Sequence, residues 1–121
     1  MVVQPGNVEE VSAIVEYCQV ERIGIVPQGG NTGLVGGSTP VHDEVIMSLS
    51  KLNRIESFHD GVLICGGGCI LEHLQQHVEQ HNHKLPIDFG SKGSCMIGGN
   101  ISTNAGTLIR KFYIFELGRL K

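Results

Sequence analysis

The chain has 121 residues, a formal net charge of −3, 40% hydrophobic residues and 17% charged residues. A chain of this length forms one domain or part of one, and its apolar content argues against intrinsic disorder. The negative charge gives no electrostatic basis for binding nucleic acid or an anionic membrane. No apolar run approaches the ~20 residues needed to span a bilayer.

The N-terminal part of the chain predicts a short strand directly after Met1, then a helix and a second strand. Asn7 with Glu10 three residues on resembles a capping box at the start of a helix. Apolar residues then recur at helical spacing to about Arg22; they are Val8, Val11, Ile14, Val15 and Cys18. The apolar run Ile23–Val26 predicts a buried strand.

The middle of the chain predicts three further strands and a second helix. Val45–Leu49 is a strand, and Ile55–Phe58 and Val62–Cys65 are joined by Asp60-Gly61, a hairpin-turn signal. The segment from Ile70 to about Gln80 has the apolar stripe of an amphipathic helix. Together these elements predict an α/β (α+β) fold.

The segment Pro27–Ser38 contains five glycines in twelve residues. It has no Gly-Lys-Ser/Thr ending, which excludes a Walker A loop, and no G-x-G-x-x-G spacing, which excludes a Rossmann fingerprint. Because it links strand to strand, it has no helix dipole to bind an anion. The glycines favour a nest of backbone N–H groups around a phosphate, with a purely structural glycine loop as the alternative.

The segment Pro86–Gly106 is also rich in small residues and adds side-chain donors. Ser94, Asn100, Thr103 and Asn104 have groups suited to ribose, phosphate or ring edges, and Lys92 has a positive charge. Two such segments about sixty residues apart indicate two walls around one elongated ligand. A dinucleotide fits this description better than a single phosphate.

The motifs in these two segments resemble the FAD-linked oxidases of the vanillyl-alcohol-oxidase (PCMH) type. They are Gln28-Gly29-Gly30-Asn31-Thr32-Gly33 with Val35-Gly36-Gly37-Ser38, and Gly93-Ser94-Cys95-x-Ile97-Gly98-Gly99-Asn100 with Thr103-Asn104-Ala105-Gly106. Asn31 favours the branch of the family that acts on D-2-hydroxyglutarate, since relatives acting on glycolate or D-lactate usually have Arg-Gly-x-Gly-Thr at the corresponding place.

The resemblance implies FAD as the cofactor, with its pyrophosphate held by backbone N–H groups from Gly29 to Leu34. It identifies no catalytic residue and no metal ligand in this chain. The cofactor-binding residues that it implies are Pro27, Gln28, Gly29, Gly30, Asn31, Thr32, Gly33, Leu34, Ser38, Pro86, Gly93, Ser94, Gly98, Gly99, Asn100, Thr103, Asn104 and Gly106.

The resemblance also implies a parent enzyme that oxidises D-2-hydroxyglutarate to 2-oxoglutarate. Hydride passes to the flavin, and electrons continue to an acceptor such as an electron-transfer flavoprotein. Members in eukaryotes are mitochondrial, although no targeting signal is visible in this chain. The alternatives for this chain are a non-catalytic nucleotide-binding fragment and a non-functional truncated fragment.

The resemblance covers residues 1–106, which predicts an incomplete, N-terminal portion of the FAD-binding domain. Residues 107–121 depart from the family pattern and are expected to be a divergent tail. The second half of that domain and the substrate domain are expected to be absent, so this chain alone is not expected to be catalytically competent.

The cysteines and histidines show no strong site pattern. The spacing of the four cysteines is not that of a zinc ribbon or a disulfide scaffold, and Cys18 and Cys65 are expected in the core. His73, His77 and His81 share one row of the second helix. That row is either a solvated face, which we favour, or a surface metal site.

Overall fold

The computed structural model describes residues 1–106, which form two sheets and three helices. The first sheet contains β1 (Val2–Val3), β2 (Ile25–Gln28) and β3 (Val45–Ser48) in the parallel order β1-β3-β2. The second is an antiparallel hairpin of β4 (Ile55–His59) and β5 (Val62–Cys65). The α/β (α+β) prediction is therefore confirmed.

Helix α1 (Val8–Val20) begins at the predicted cap. The Glu10 backbone N–H donates to Asn7 Oδ1 at 2.8 Å, and the Glu10 carboxylate accepts from the Gly6 backbone N–H at 2.7 Å. The helix ends earlier than Arg22, because Arg22 adopts a left-handed φ of 56° and the Ile23 N–H donates to Cys18 O at 2.8 Å. For this reason β2 starts two residues later than predicted.

The hairpin has the predicted turn. Asp60 and Gly61 have φ values of 51° and 78°, the left-handed conformations that a two-residue turn between twisted strands requires. Helix α2 (Leu71–Glu79) follows, and its predicted apolar stripe is buried through Leu71, Leu74 and Val78.

Helix α3 (Ile97–Ser102) was not predicted, because its sequence contains two glycines, the residues with the lowest helix propensity after proline. Packing explains the glycine at 98. A Cβ at Gly98 would lie 2.8 Å from Gly67 O, and the Gly98 N–H donates to that oxygen at 2.9 Å. Close backbone approach, rather than local propensity, therefore determines this turn of helix.

The buried cluster belongs to the hairpin and the two later helices. It consists of Leu63, Cys69, Leu71, Leu74, Val78, Cys95 and Ile97. The first sheet has a smaller buried set, and several apolar residues of α1 remain exposed, including Val8 at 58% and Val20 at 73%. None of the three helices is long and apolar enough to cross a membrane.

Candidate dinucleotide-binding cleft

A cleft of about 440 Å³ lies between the two glycine-rich segments. The first wall is residues 29–38, which leave the end of β2, and the second wall is residues 89–105, which contain α3. Most of the predicted cofactor-binding residues line it: Pro27, Gly29, Gly30, Asn31, Thr32, Gly33, Ser38, Gly98, Gly99, Asn100 and Thr103. The structure therefore brings the two sequence segments to one place.

The remaining predicted residues lie outside the lining. The Gln28 side chain bonds to Ser38 O at the other end of the first wall, and the Leu34 side chain is fully exposed. Gly93 lies beside Glu72, and the Ser94 backbone lies against Gly30. Pro86 is half-buried, while Asn104 and Gly106 are exposed beyond the end of α3.

Sequence reasoning did not select several residues that line the cleft. They are Val35, Gly37, Leu49, Phe89, Ser91, Met96, Ser102 and Ala105. Leu49, Phe89 and Met96 are apolar, and in a sequence an apolar side chain that lines a cleft cannot be told from one that fills a core. The other five belong to the two glycine-rich segments that the sequence analysis identified: Val35, Gly37, Ser91, Ser102 and Ala105. Their place in those segments was the only sign in the sequence that they line the cleft.

The first wall is a loop pinned at its base. The Gln28 side-chain amide donates to Ser38 O at 2.7 Å and joins the two ends of the loop. Asn31 Nδ2 donates to Gln28 Oε1 at 3.4 Å, and Asn31 has a left-handed φ of 52°. Asparagine tolerates this conformation better than other side chains do, which explains a residue other than glycine at this point.

The second wall is anchored in the buried cluster. The Leu71 N–H donates to Cys95 O at 3.0 Å, and the Ile97 N–H donates to Cys69 O at 2.9 Å. Asn100 is buried, and its side-chain amide donates to Cys95 Sγ at 3.5 Å. The start of α2 and the start of α3 are thereby fixed to each other.

The two walls meet at Gly30. A Cβ at this position would overlap the carbonyl oxygen of Ser94 and would come within 3.0 Å of Cys95 Cα. Only glycine allows two backbones to approach this closely. The contact sets the distance between the walls and so the width of the cleft.

The lining of the cleft is uncharged. Apolar side chains alternate with amides, hydroxyls and glycine backbone, and the Ser102 and Thr103 hydroxyls donate to Gly98 O and Gly99 O. Lys92, which the sequence offered as a charge, pairs with Asp88 at 3.7 Å and does not line the cleft. Recognition of an anionic group here would depend on backbone N–H groups and neutral side chains.

The glycines of the lining leave room for a ligand. At Gly33, Gly37 and Gly99 a Cβ would meet no atom within 4 Å. These glycines are therefore not required by contacts within the described residues, and a side chain would occupy space in or beside the cleft. The cradle of small residues fits a dinucleotide such as FAD, which the chain would hold mainly by backbone contacts.

Cys65 and Cys69, which lie behind the second wall, are thiols with raised pKa values. Burial raises the pKa of Cys65 to about 12, with a further contribution from the neighbouring Cys69 thiol. Burial also raises the pKa of Cys69. Cys18 is buried as predicted, and Cys65 packs against the buried cluster.

Two histidines of the predicted row, His77 on α2 and His81 just beyond the end of α2, lie beside the ring of Phe58. Phe58 lies with its ring centroid 5.2 Å from that of His81 and 6.3 Å from that of His77. The His81 ring Nδ1 lies 3.0 Å from His77 O. Within residues 1–106, no three metal-ligating side chains are grouped in a way that could hold an ion.

The fold recurs in solved structures of other proteins. An alkyldihydroxyacetonephosphate synthase matches with a TM-score of 0.77 and 22% identity, over 84% of this chain and 20% of that one. Cholesterol oxidase from Brevibacterium sterolicum matches with a TM-score of 0.68 and 21% identity, over 85% of this chain and 20% of that one. At these identities the likeness concerns the fold alone.

Fold and cleft together define an α/β unit with a cleft between two glycine-rich segments. The family described as "FAD binding domain" matches residues 1–116, and the chain belongs to this family. Residues 107–121, expected from the sequence to be a divergent tail, lie outside the part that the structure describes.

Individual relatives are much more similar in sequence. The mitochondrial D-2-hydroxyglutarate dehydrogenase of Bos taurus is 52% identical over 110 residues, and that of Arabidopsis thaliana is 57% identical over 106 residues. These alignments cover 89% and 86% of this chain but 20% and 19% of those proteins. The chain is thus homologous to D-2-hydroxyglutarate dehydrogenases and spans about a fifth of their length.

Proposed function

We propose that the cleft between residues 29–38 and 89–105 binds FAD, with the pyrophosphate against the backbone N–H groups of the first wall. The observation that carries this proposal is the contact of Gly30 with the Ser94 backbone, which joins two distant segments into one site. Asn31, Thr32 and Ser38 add neutral polar groups on the same wall. The second wall adds Asn100 and Thr103.

The chain's own residues bind and orient the cofactor. When bound, FAD supplies the redox chemistry by accepting a hydride from the substrate. Asn100 is held by Cys95 and the core behind it, so it presents a fixed surface to the ligand. The apolar lining residues Leu49, Phe89 and Met96 exclude water from one part of the cleft.

We further propose that the parent protein oxidises D-2-hydroxyglutarate to 2-oxoglutarate in the mitochondrion and passes electrons to an acceptor such as an electron-transfer flavoprotein. The support is the 50–57% identity to three mitochondrial proteins of that name. Relatives with other printed names are less similar, such as a putative D-lactate dehydrogenase of Schizosaccharomyces pombe at 42%.

For this chain by itself, a non-catalytic binding role is the second candidate. The uncharged lining favours it, because every described side chain of the cleft is suited to holding a ligand and none titrates in the physiological range. Under this candidate the chain binds FAD without turning over a hydroxy acid.

One experiment separates the candidates. The purified chain is incubated with FAD, freed of unbound ligand, and examined for flavin absorption and for turnover of D-2-hydroxyglutarate with a dye acceptor. We expect about one equivalent of retained flavin and no turnover. Turnover would overturn the binding-only role, and a colourless protein that is also silent in calorimetry would overturn FAD binding itself.

A further inference from the structure

Two adjacent aliphatic side chains at the mouth of the cleft are almost entirely exposed. Leu34 is 100% exposed and Val35 is 95% exposed. Both lie in the segment 33–37, Gly-Leu-Val-Gly-Gly, which we call the strap. Exposed aliphatic side chains placed together beside a groove are available to contact a ligand in that groove.

The strap is fixed at its base and free at its tip. The bond from the Gln28 amide to Ser38 O holds one end, and the Thr39 N–H donates to Gly36 O at 3.0 Å. At Gly33, Gly36 and Gly37 a Cβ would meet no atom within 4 Å, and Gly36 has a φ of +72°. Glycines on both sides of Leu34-Val35 therefore allow the tip to rotate without moving its base.

The cleft offers the strap an apolar surface to close on. Val35 already lines the cleft, together with Leu49, Phe89 and Met96. Rotation of the tip toward the cleft would take Leu34 and Val35 out of water and place them over whatever the cleft holds. Removal of aliphatic surface from water stabilises the state in which this happens.

We propose that the strap closes over the bound dinucleotide and that Leu34 and Val35 act as a clamp that slows its release. This inference rests on the proposed function, because the ligand supplies the surface that the two side chains cover. The strap makes few contacts before binding, so its effect falls on the dissociation rate more than on the association rate.

The first test is the rate of FAD dissociation, followed by flavin fluorescence after dilution. The double variant Leu34→Ser/Val35→Ser is expected to release FAD about tenfold faster or more. Val41→Ser is the matched control, because Val41 is 77% exposed, belongs to the same β2–β3 connection and does not line the cleft. Its release rate is expected to match that of the unaltered chain.

The second test reports closure directly. The chain has no tryptophan, so Leu34→Trp and Val41→Trp each introduce one. Addition of FAD is expected to move the emission maximum of Leu34→Trp to shorter wavelength, since the indole leaves water. The Val41→Trp maximum is expected to stay in place.

The outcomes distinguish the strap from the site. Retained FAD with faster release from the double variant and a shifted Leu34→Trp emission supports the clamp. Retained FAD with unchanged release and emission overturns the clamp and leaves FAD binding standing. Failure of the unaltered chain to retain FAD overturns both.

Discussion

The first wall of the cleft stands on the parallel sheet of β1, β3 and β2, whereas the second wall runs through the buried cluster of the hairpin, α2 and α3. Cys95, Ile97 and Asn100 of the second wall are buried. Every residue of the first wall from Asn31 to Gly37 is exposed. The second wall is therefore preformed, whereas the first wall is free to adapt to a ligand.

The helices differ in burial in the same way as the two walls. Helix α1 packs Cys18 inward but leaves Val8, Val15 and Val20 exposed, while α2 buries its whole apolar stripe. Local opening is easiest where few apolar contacts are buried. Amide hydrogen exchange should therefore be faster in α1 and the first wall than in α2 and α3.

The largest expected effect is a loss of stability on substitution of Gly30, where the two walls are in contact. Gly30→Ala places a methyl group onto the carbonyl of Ser94, and separating two packed backbones is expected to reduce the free energy of unfolding by about 3 kcal/mol. Chemical denaturation followed by circular dichroism measures this. Gly33→Ala is the control, since its Cβ meets nothing within 4 Å, and it should stay within about 0.5 kcal/mol. Equal stability of the two variants would mean that the walls do not depend on Gly30.

The next effect separates folding from binding on each wall. At Gly99 on the second wall and Gly33 on the first, a Cβ would meet no atom within 4 Å. The variants Gly99→Leu and Gly33→Val therefore place their side chains in or beside the cleft and narrow it. Each is expected to weaken FAD binding about 100-fold or more while unfolding remains cooperative. Isothermal calorimetry gives the affinity. Gly6→Leu lies outside both walls, and its Cβ would make only an ordinary contact of 3.8 Å with Glu10 Oε2, so it should bind as the unaltered chain does.

A dependence of stability on alkaline pH is expected from Cys65, at the end of β5 behind the second wall. The pKa of Cys65 is raised to about 12 from an ordinary value of 9.0, so the folded state retains its proton more tightly than the unfolded state. The resulting stability is fully present below about pH 9 and is lost as the pH rises toward 12. Denaturation at pH 7 to 11 should show a steeper decline for the unaltered chain than for Cys65→Val. Parallel declines would contradict this cause.

The smallest effect concerns the cap at the start of α1. Asn7→Ala removes the acceptor for the Glu10 N–H at the start of α1, which is expected to cost about 1 kcal/mol of stability. Because the second wall does not contact this cap, hydrogen exchange in α2 should be unchanged by the variant. Faster exchange throughout α2 would show that the two regions unfold as one unit, which removes the proposed contrast.

Local signals in the sequence were sufficient for several elements. Asn7 with Glu10 identified the start of α1, Asp60-Gly61 identified the hairpin turn, and the spacing of Leu71, Leu74 and Val78 identified α2. In each case the residues that determine the structure lie within about two helical turns of one another. Short-range chemistry of this kind can be read from sequence alone.

An element set by contacts between distant segments was missed. Helix α3 depends on the approach of Gly98 to Gly67, about thirty residues earlier in the chain. The end of α1 was displaced for a local reason, since an arginine at position 22 gives no signal of the left-handed conformation that it adopts. The glycine motifs located both walls of the site, but the apolar lining of Leu49, Phe89 and Met96 was recognisable only once the chain was folded.

If both walls hold one dinucleotide, FAD must perturb both at once. Backbone amide chemical shifts of the unaltered chain, followed during an FAD titration, measure this. We expect the amide signals of residues 29–38 and of residues 96–103 to shift together and give one common dissociation constant, while the amide signals of α1 do not shift. Shifts confined to one wall, or two different dissociation constants, would contradict the binding of one dinucleotide by both walls.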